Sequence, residues 1–186
     1  MKKLWIIGLL VFLFGCSERD FGMERGLAFR QRLLECNGCS FNAAITADFG
    51  DKTYSFQLSC QGNSDGSLAF TVEKPDTISG ISGVLAAKGG QITFEDDRCV
   101  AFPMLAEGEI SPIGGPWVLY NTLRSGYILA CGMEEDQLRM TLNDTYEEEA
   151  FQVDVWLDGE DRPAVAEILW KGRRVLTIQV TNFQIL

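Results

Sequence analysis

The sequence predicts an α+β protein, mostly β, folded as one domain of about ten to eleven antiparallel strands with one or two helices between them. Three observations predict it. Apolar residues alternate with polar or small ones along most of the chain, so that each strand has one face to bury. Runs rich in Gly, Asn, Asp and Ser punctuate the alternation as turns would. Helical spacing of apolar residues occurs in only two stretches, one before the strands and one in their midst. The 186 residues are 46% hydrophobic and 23% charged, an ordinary globular composition of single-domain size. No repeat, low-complexity tract or domain-scale linker divides them.

The chain starts with Met1–Cys16, MKKLWIIGLLVFLFGC. Lys2 and Lys3 precede the apolar run from Leu4 to Phe14, which is shorter than the ~20 residues needed to cross a hydrocarbon core and suits a signal peptide. Leu13-Phe14-Gly15-Cys16 resembles a bacterial lipobox, with Cys16 the lipidation site; Phe14 departs from the small or β-branched residue usual there. Residues 1–15 are accordingly expected to be a lipoprotein signal peptide, residues 16–20 a lipidated tether and residues 21–186 the folded domain. Two acyl chains on Cys16 would anchor the domain stably, at about 0.8 kcal/mol per buried CH₂. The extended tether would reach at most about 14 Å at 3.3–3.6 Å per residue. Attachment has to come from the lipid, because an acidic chain is repelled by anionic headgroups.

From Glu18 to Cys36, Phe21, Leu27, Phe29, Leu33 and Leu34 lie among Arg, Glu and Gln, which predicts an amphipathic helix interrupted by Gly22 and Gly26 and capped by Asn37-Gly38. The period then changes to two. Phe41, Ala43, Ile45, Ala47 and Phe49 form one strand, Tyr54 to Cys60 a second, and Leu68 to Val72 a third that Pro75 ends. Shorter strands are expected at Ile81–Ala87, Gln91–Phe94 and Cys99–Phe102. Pro116 to Leu123 has Pro in a first-turn position and apolar residues three and four apart, which predicts a short helix. Strands resume at Tyr127–Cys131, Gln137–Leu142, Phe151–Leu157, Ala164–Trp170 and Arg173–Ile185.

Beyond Cys16 five cysteines remain, an odd number for an exported chain, where disulfides are the leading expectation. A hairpin turning at Gly50-Asp51 sets Cys60 opposite Phe41 and two residues from Cys39. Cys39–Cys60 is therefore the first expected bridge, with Cys36 spare or in its place, and Cys99–Cys131 the second. Cys36-Asn-Gly-Cys39 also has redox or half-zinc-site spacing, but it lacks the βαβ context of the first and the second ligand pair of the other.

The chain contains no histidine, so a Ser-His-Asp triad, a Cys-His dyad and an HExxH zinc site are excluded. Formal charge of −10 and a pI near 4.5 argue against nucleic acid as a partner. The carboxylate clusters (Glu95 to Asp97, Glu134 to Asp136, Glu147 to Glu149, Asp158 to Asp161) fall between strands, where charged turns are solvated. Ser-x-x-Lys is absent, and Ser79 to Gly83 lacks the G-K-[ST] ending of a phosphate loop. No catalytic residue, metal ligand or cofactor is expected, and the chain is read as a non-enzyme.

Lipobox, N-terminal amphipathic helix, consecutive strands, central helix and further strands together resemble the LolA/LolB-like superfamily of lipoprotein carriers. Phe70-Thr71-Val72-Glu73-Lys74-Pro75 followed by Ile78 to Ile81, and the tail from Pro163 through Gly172 to Phe183, look like that superfamily's strands and closing hairpin. The resemblance implies an incomplete, curved antiparallel β-barrel with the N-terminal and central helices as lid. Two functions are compatible with it. One is binding of a lipid or lipoprotein acyl chain in an apolar cavity lined by Phe41, Ile45, Phe56, Phe70, Val72 and the lid near Trp117. The other is a non-enzymatic envelope regulator that docks a protein partner, with a filled core and a surface patch. Either would act at the extracytoplasmic face of a bacterial cell envelope.

Overall fold

A computed structural model describes residues 17–94, 98–102, 105–106 and 109–186. The expected signal peptide, residues 1–15, and Cys16 lie outside the described residues. Helix α1 (Ser17–Glu35) leads into β1 (Gly38–Asp48), β2 (Thr53–Asn63), β3 (Leu68–Lys74), β4 (Ser82–Ala86), β5 (Gly89–Thr93) and β6 (Cys99–Phe102). A two-stranded hairpin, β7 (Leu105–Ala106) and β8 (Glu109–Ile110), precedes helix α2 (Gly115–Ser125). Then come β9 (Tyr127–Glu134), β10 (Gln137–Asn143), β11 (Phe151–Leu157), β12 (Pro163–Trp170) and β13 (Arg173–Ile185).

Eleven strands form one antiparallel sheet in the order β6-β5-β4-β3-β2-β1-β13-β12-β11-β10-β9. Two meanders, β1–β6 and β9–β13, are joined by pairing of β1 with β13, and α2 is the crossover between them. The sheet stays open, with β6 and β9 at its edges. From β3 to β10 it is about 29 Å wide at ~4.8 Å per strand, yet α2, with a backbone of about 16 Å, touches β2, β3, β10, β12 and β13. A sheet wider than the helix can meet it from both sides only by bending around it. This is the expected half-barrel with a helical lid.

The β1–β2 register follows from the turn. Gly50, with φ +93°, allows the reversal, Phe41 pairs with Cys60, and Ile45 pairs with Phe56. Odd residues of β1 and even residues of β2 share the inner face, and with Phe70, Val72, Leu138, Met140, Val153, Val155, Ile168 and Ile178 they make one core beneath the two helices.

The N-terminal helix differs from expectation in two ways. Ser17 to Asp20 are helical rather than an extended tether, and Gly22 and Gly26 continue the helix instead of interrupting it. Both glycines are buried where α1 crosses the edge strand β9. A Cβ on Gly22 would lie 3.2 Å from the Cys131 carbonyl oxygen, and one on Gly26 would lie 2.8 Å from Cys131 Sγ. Close approach of helix to strand outweighs the helix propensity lost at two glycines, about 1 kcal/mol each. Gly38, expected to cap the helix, already belongs to β1.

The outer face carries an unusual pattern. One cross-strand row runs Thr181–Asn42–Ser59–Thr71–Ser82–Thr93–Cys99, and the next runs Gln184–Ser40–Gln61–Ala69–Val84–Gln91–Ala101. Neither row contains a charged residue. Charges gather on β9–β12 and the start of β13, where Arg139 bonds the buried Asp154 at 2.7 Å, the Trp156 indole donates to Glu134 at 2.7 Å, and Arg174 pairs with Glu167.

Candidate functional site

The residues expected to line a cavity are brought together on the concave face. Phe41, Ile45, Phe70 and Val72 are buried there, Phe56 is half-buried, and Trp117 stands on the lid. They meet other side chains rather than an empty space. The gap among Leu33, Phe41, Leu119, Leu123, Val180 and Phe183 is about 10 Å³, room for about one water molecule. A small-molecule site typically needs about 300 Å³ or more.

The lid is fixed by donors spaced three and four residues apart on α2, all aimed at the β2–β3 turn. Trp117 Nε1 donates to Gly66 O at 3.0 Å, Tyr120 Oη to Asn63 O at 2.6 Å, and Arg124 Nη2 to Ser64 O at 2.9 Å. The Tyr120 ring lies where a Cβ on Gly62 would stand, so that glycine admits the lid. From α1, Arg30 donates to three carbonyls at the end of α2, those of Thr122, Leu123 and Gly126. Burial lowers the Arg30 pKa from its ordinary value. Sequence reading missed Arg30 and Arg124 because a cation at a helix end looks like any solvated residue until its acceptors are placed.

The thiols require a correction. None of Cys36, Cys39, Cys60, Cys99 and Cys131 is in a disulfide. Cys39 pairs with Gly62 and Cys60 with Phe41, so these two thiols are diagonal neighbours, farther apart than the directly opposed residues that a bridge would favour. Cys99 and Cys131 lie on β6 and β9, the two edge strands of the sheet, and are not bridged. Burial pushes the Cys39 thiol up to about 12 and raises Cys60 and Cys131 as well. These are inert structural cysteines. Among the described residues no cluster of Cys, Asp or Glu could hold a metal ion. No helix among them is long and apolar enough to cross a membrane.

What the molecule does expose is apolar surface around α1. Gly22, Gly26, Phe29 and Leu33 face inward, whereas Phe21, Leu27 and Leu34 face outward, each about half exposed. Leu27 and Leu34 are seven residues apart and share a side of the helix. The edge strand beside them exposes Leu129 and Met133. Arg25 ties the two elements together, with its guanidinium 5.8 Å from the Phe21 ring centre and Nη1 3.4 Å from Met133 Sδ. Asp161 holds Arg25 in place.

No family model and no curated protein matches the chain in sequence. Among solved structures it is similar to a putative outer membrane lipoprotein-sorting protein domain from Vibrio parahaemolyticus, at 11% identity and TM-score 0.48, over 90% of this chain and 93% of that one. A LolA superfamily protein from Nitrosomonas europaea aligns at 10% identity and TM-score 0.46, over 92% and 94% of the two chains. A chain from the complex of the CwlD amidase of Clostridioides difficile with the GerS lipoprotein aligns at 14% identity and TM-score 0.43, over 88% and 95%.

Proposed function

We propose that the chain is a non-enzymatic lipoprotein of the bacterial cell envelope, anchored through Cys16, that acts by binding a protein partner. The observation that carries this reading is the exposed apolar surface of α1 and the adjoining edge strand; where the two helices meet β1 and β13 the gap is about 10 Å³. An acyl chain entering between α2 and the β2–β3 turn would have to break the bonds from Trp117, Tyr120 and Arg124. The contact surface is the exposed side of α1, with Leu27 and Leu34 on one flank and Phe21 on the other, and Leu129 and Met133 of the adjoining edge. It is apolar, and its first residue stands little more than one helical turn from the anchor. A partner at or near the same membrane would meet it first.

The test uses the lipid-free chain from Ser17 and the anchored chain in cells. Native mass spectrometry of the first is expected to give an apo mass with no uptake of added lipid. Crosslinking from α1 in the envelope is expected to trap one defined protein, lost when Leu27→Glu is introduced. Acyl species released from the purified chain on denaturation would overturn the proposal in favour of lipid binding.

A further inference from the structure

The two uncharged rows of the outer face, from Thr181 to Cys99 and from Gln184 to Ala101, cross seven neighbouring strands. On β13, β1 and β2 the same face continues through Gln179–Ala44–Gln57 and Thr177–Thr46–Ser55, again without charge, until Lys74 bounds it on β3 and Glu167 on β12. This happens in a chain of formal charge −10 that carries ion pairs between β10 and β11 and between β12 and the start of β13. A merely solvated face has no reason to exclude Lys and Glu, and natural sheets use such charges to keep flat surfaces apart.

We infer that this face is where a second copy of the chain docks, sheet on sheet, across a twofold axis. Three properties make it complementary to itself. Ser, Thr, Asn and Gln each donate and accept hydrogen bonds, so the face can bond its own copy. The absence of charge lets two acidic chains meet without opposing like charges. Its shape also fits. A twisted sheet is saddle-shaped, and here the saddle forms a shallow outer trough of about 350 Å³ lined by Ser59, Gln61, Thr71, Ser82 and Val84. A saddle of this hand matches its own copy turned over about an axis along the strands, the aligned arrangement of packed twisted sheets.

The size is sufficient. At ~4.8 Å between strands and ~6.8 Å between rows the face covers about 650 Å², against roughly 500 Å² per partner for the smallest specific interfaces. Other occupants fit worse. Nucleic acid and anionic lipid need cations that the rows lack, and no aromatic ring offers a platform for stacking. The α1 stripe lies at the opposite end of the sheet, so a dimer formed this way leaves it free.

Sedimentation of residues 17–186, which hold the whole sheet and both helices, tests the inference between about 1 and 300 µM. Reductant is included so that a Cys99 disulfide cannot mimic association. A concentration-dependent dimer is expected. Thr71→Lys and the more exposed Gln61→Lys should each weaken it at least about tenfold, since each sets like charges near the twofold axis. If Thr71→Lys unfolds by circular dichroism, Gln61→Lys decides. Leu27→Lys on α1 should leave the dimer unchanged. A monomer throughout the range, a dimer indifferent to both outer-face lysines, or one weakened by Leu27→Lys would overturn the inference.

Discussion

Arg30 of α1 closes the end of α2: its Nε donates to Leu123 O and its Nη1 to Gly126 O, both at 2.8 Å. The last carbonyls of a helix have no partners within it and carry partial negative charge, so a guanidinium there satisfies them and complements the helix dipole. Arg124 makes the reciprocal contact, donating from α2 to Leu33 O near the end of α1 at 3.1 Å. Each helix therefore caps the other, and the lid is held as a pair.

Replacing Arg30 by Met keeps the apolar stem and removes three charge-assisted hydrogen bonds. A loss of about 2–3 kcal/mol is expected, read as a lower urea midpoint. Hydrogen exchange should accelerate most in the last turn of α2. Uniform acceleration across the sheet would show that Arg30 acts on global stability and not as a cap.

Gly26→Ala sets two effects against each other. Alanine gains about 1 kcal/mol of helix propensity, but its Cβ would stand 2.8 Å from Cys131 Sγ and 3.2 Å from Met140 Cε. Overpacking of this kind costs about 1–3 kcal/mol, so net destabilisation is expected. Cys131→Ala removes the obstructing sulfur. In that background Gly26→Ala should become neutral or stabilising, and a double-mutant cycle without coupling would argue against the contact.

Asp154 is 2% exposed on the outer face, and Arg139 is its bonded cation. Arg139→Ala leaves that carboxylate with only the Gln152 amide at 3.3 Å and should cost about 2–4 kcal/mol. Asp154→Asn keeps an acceptor for Arg139 and should cost less. Equal losses in urea unfolding would mean that packing of Arg139 over the Trp156 ring, 5.1 Å away, matters more than the pair.

Much of this fold is legible locally. Period-two alternation marks Phe151–Leu157 and Arg173–Ile185 to the residue, and the Gly50 turn sets Phe41 against Cys60. What fails is whatever depends on strand order. Only the pairing of β1 with β13 puts Cys99 and Cys131 at opposite edges, and no local pattern reports it. Gly22 and Gly26 read as breaks because propensity is local, whereas their approach to Cys131 is tertiary. The hairpin β7–β8 has two residues per strand, too few for alternation to register. The expected lining residues share the inner face, but whether that face encloses space depends on side-chain volumes across the sheet. The uncharged rows were present as alternate residues and became a surface only once seven strands were aligned.

The buried thiols make stability fall in alkali. Cys39 is raised from an ordinary value of 9.0 to about 12, Cys60 is raised further, and Tyr120 goes from 10.0 to about 12, all chiefly through burial. Below pH ~9 both folded and unfolded thiols are protonated and the native state keeps its full advantage. Above it the unfolded chain releases protons that the folded chain retains. Stability should then drop by about 1.4 kcal/mol per pH unit for each thiol, until the folded thiol itself ionises. Tyr120 adds its share above pH ~10. Urea midpoints at pH 8, 9 and 10 should fall slightly over the first step and about threefold more steeply over the second. The Cys39→Ala/Cys60→Ala variant starts from lower stability because its core loses two sulfurs, but its decline between pH 9 and 10 should be much shallower. An equally steep decline in that variant would assign the alkaline loss to other groups.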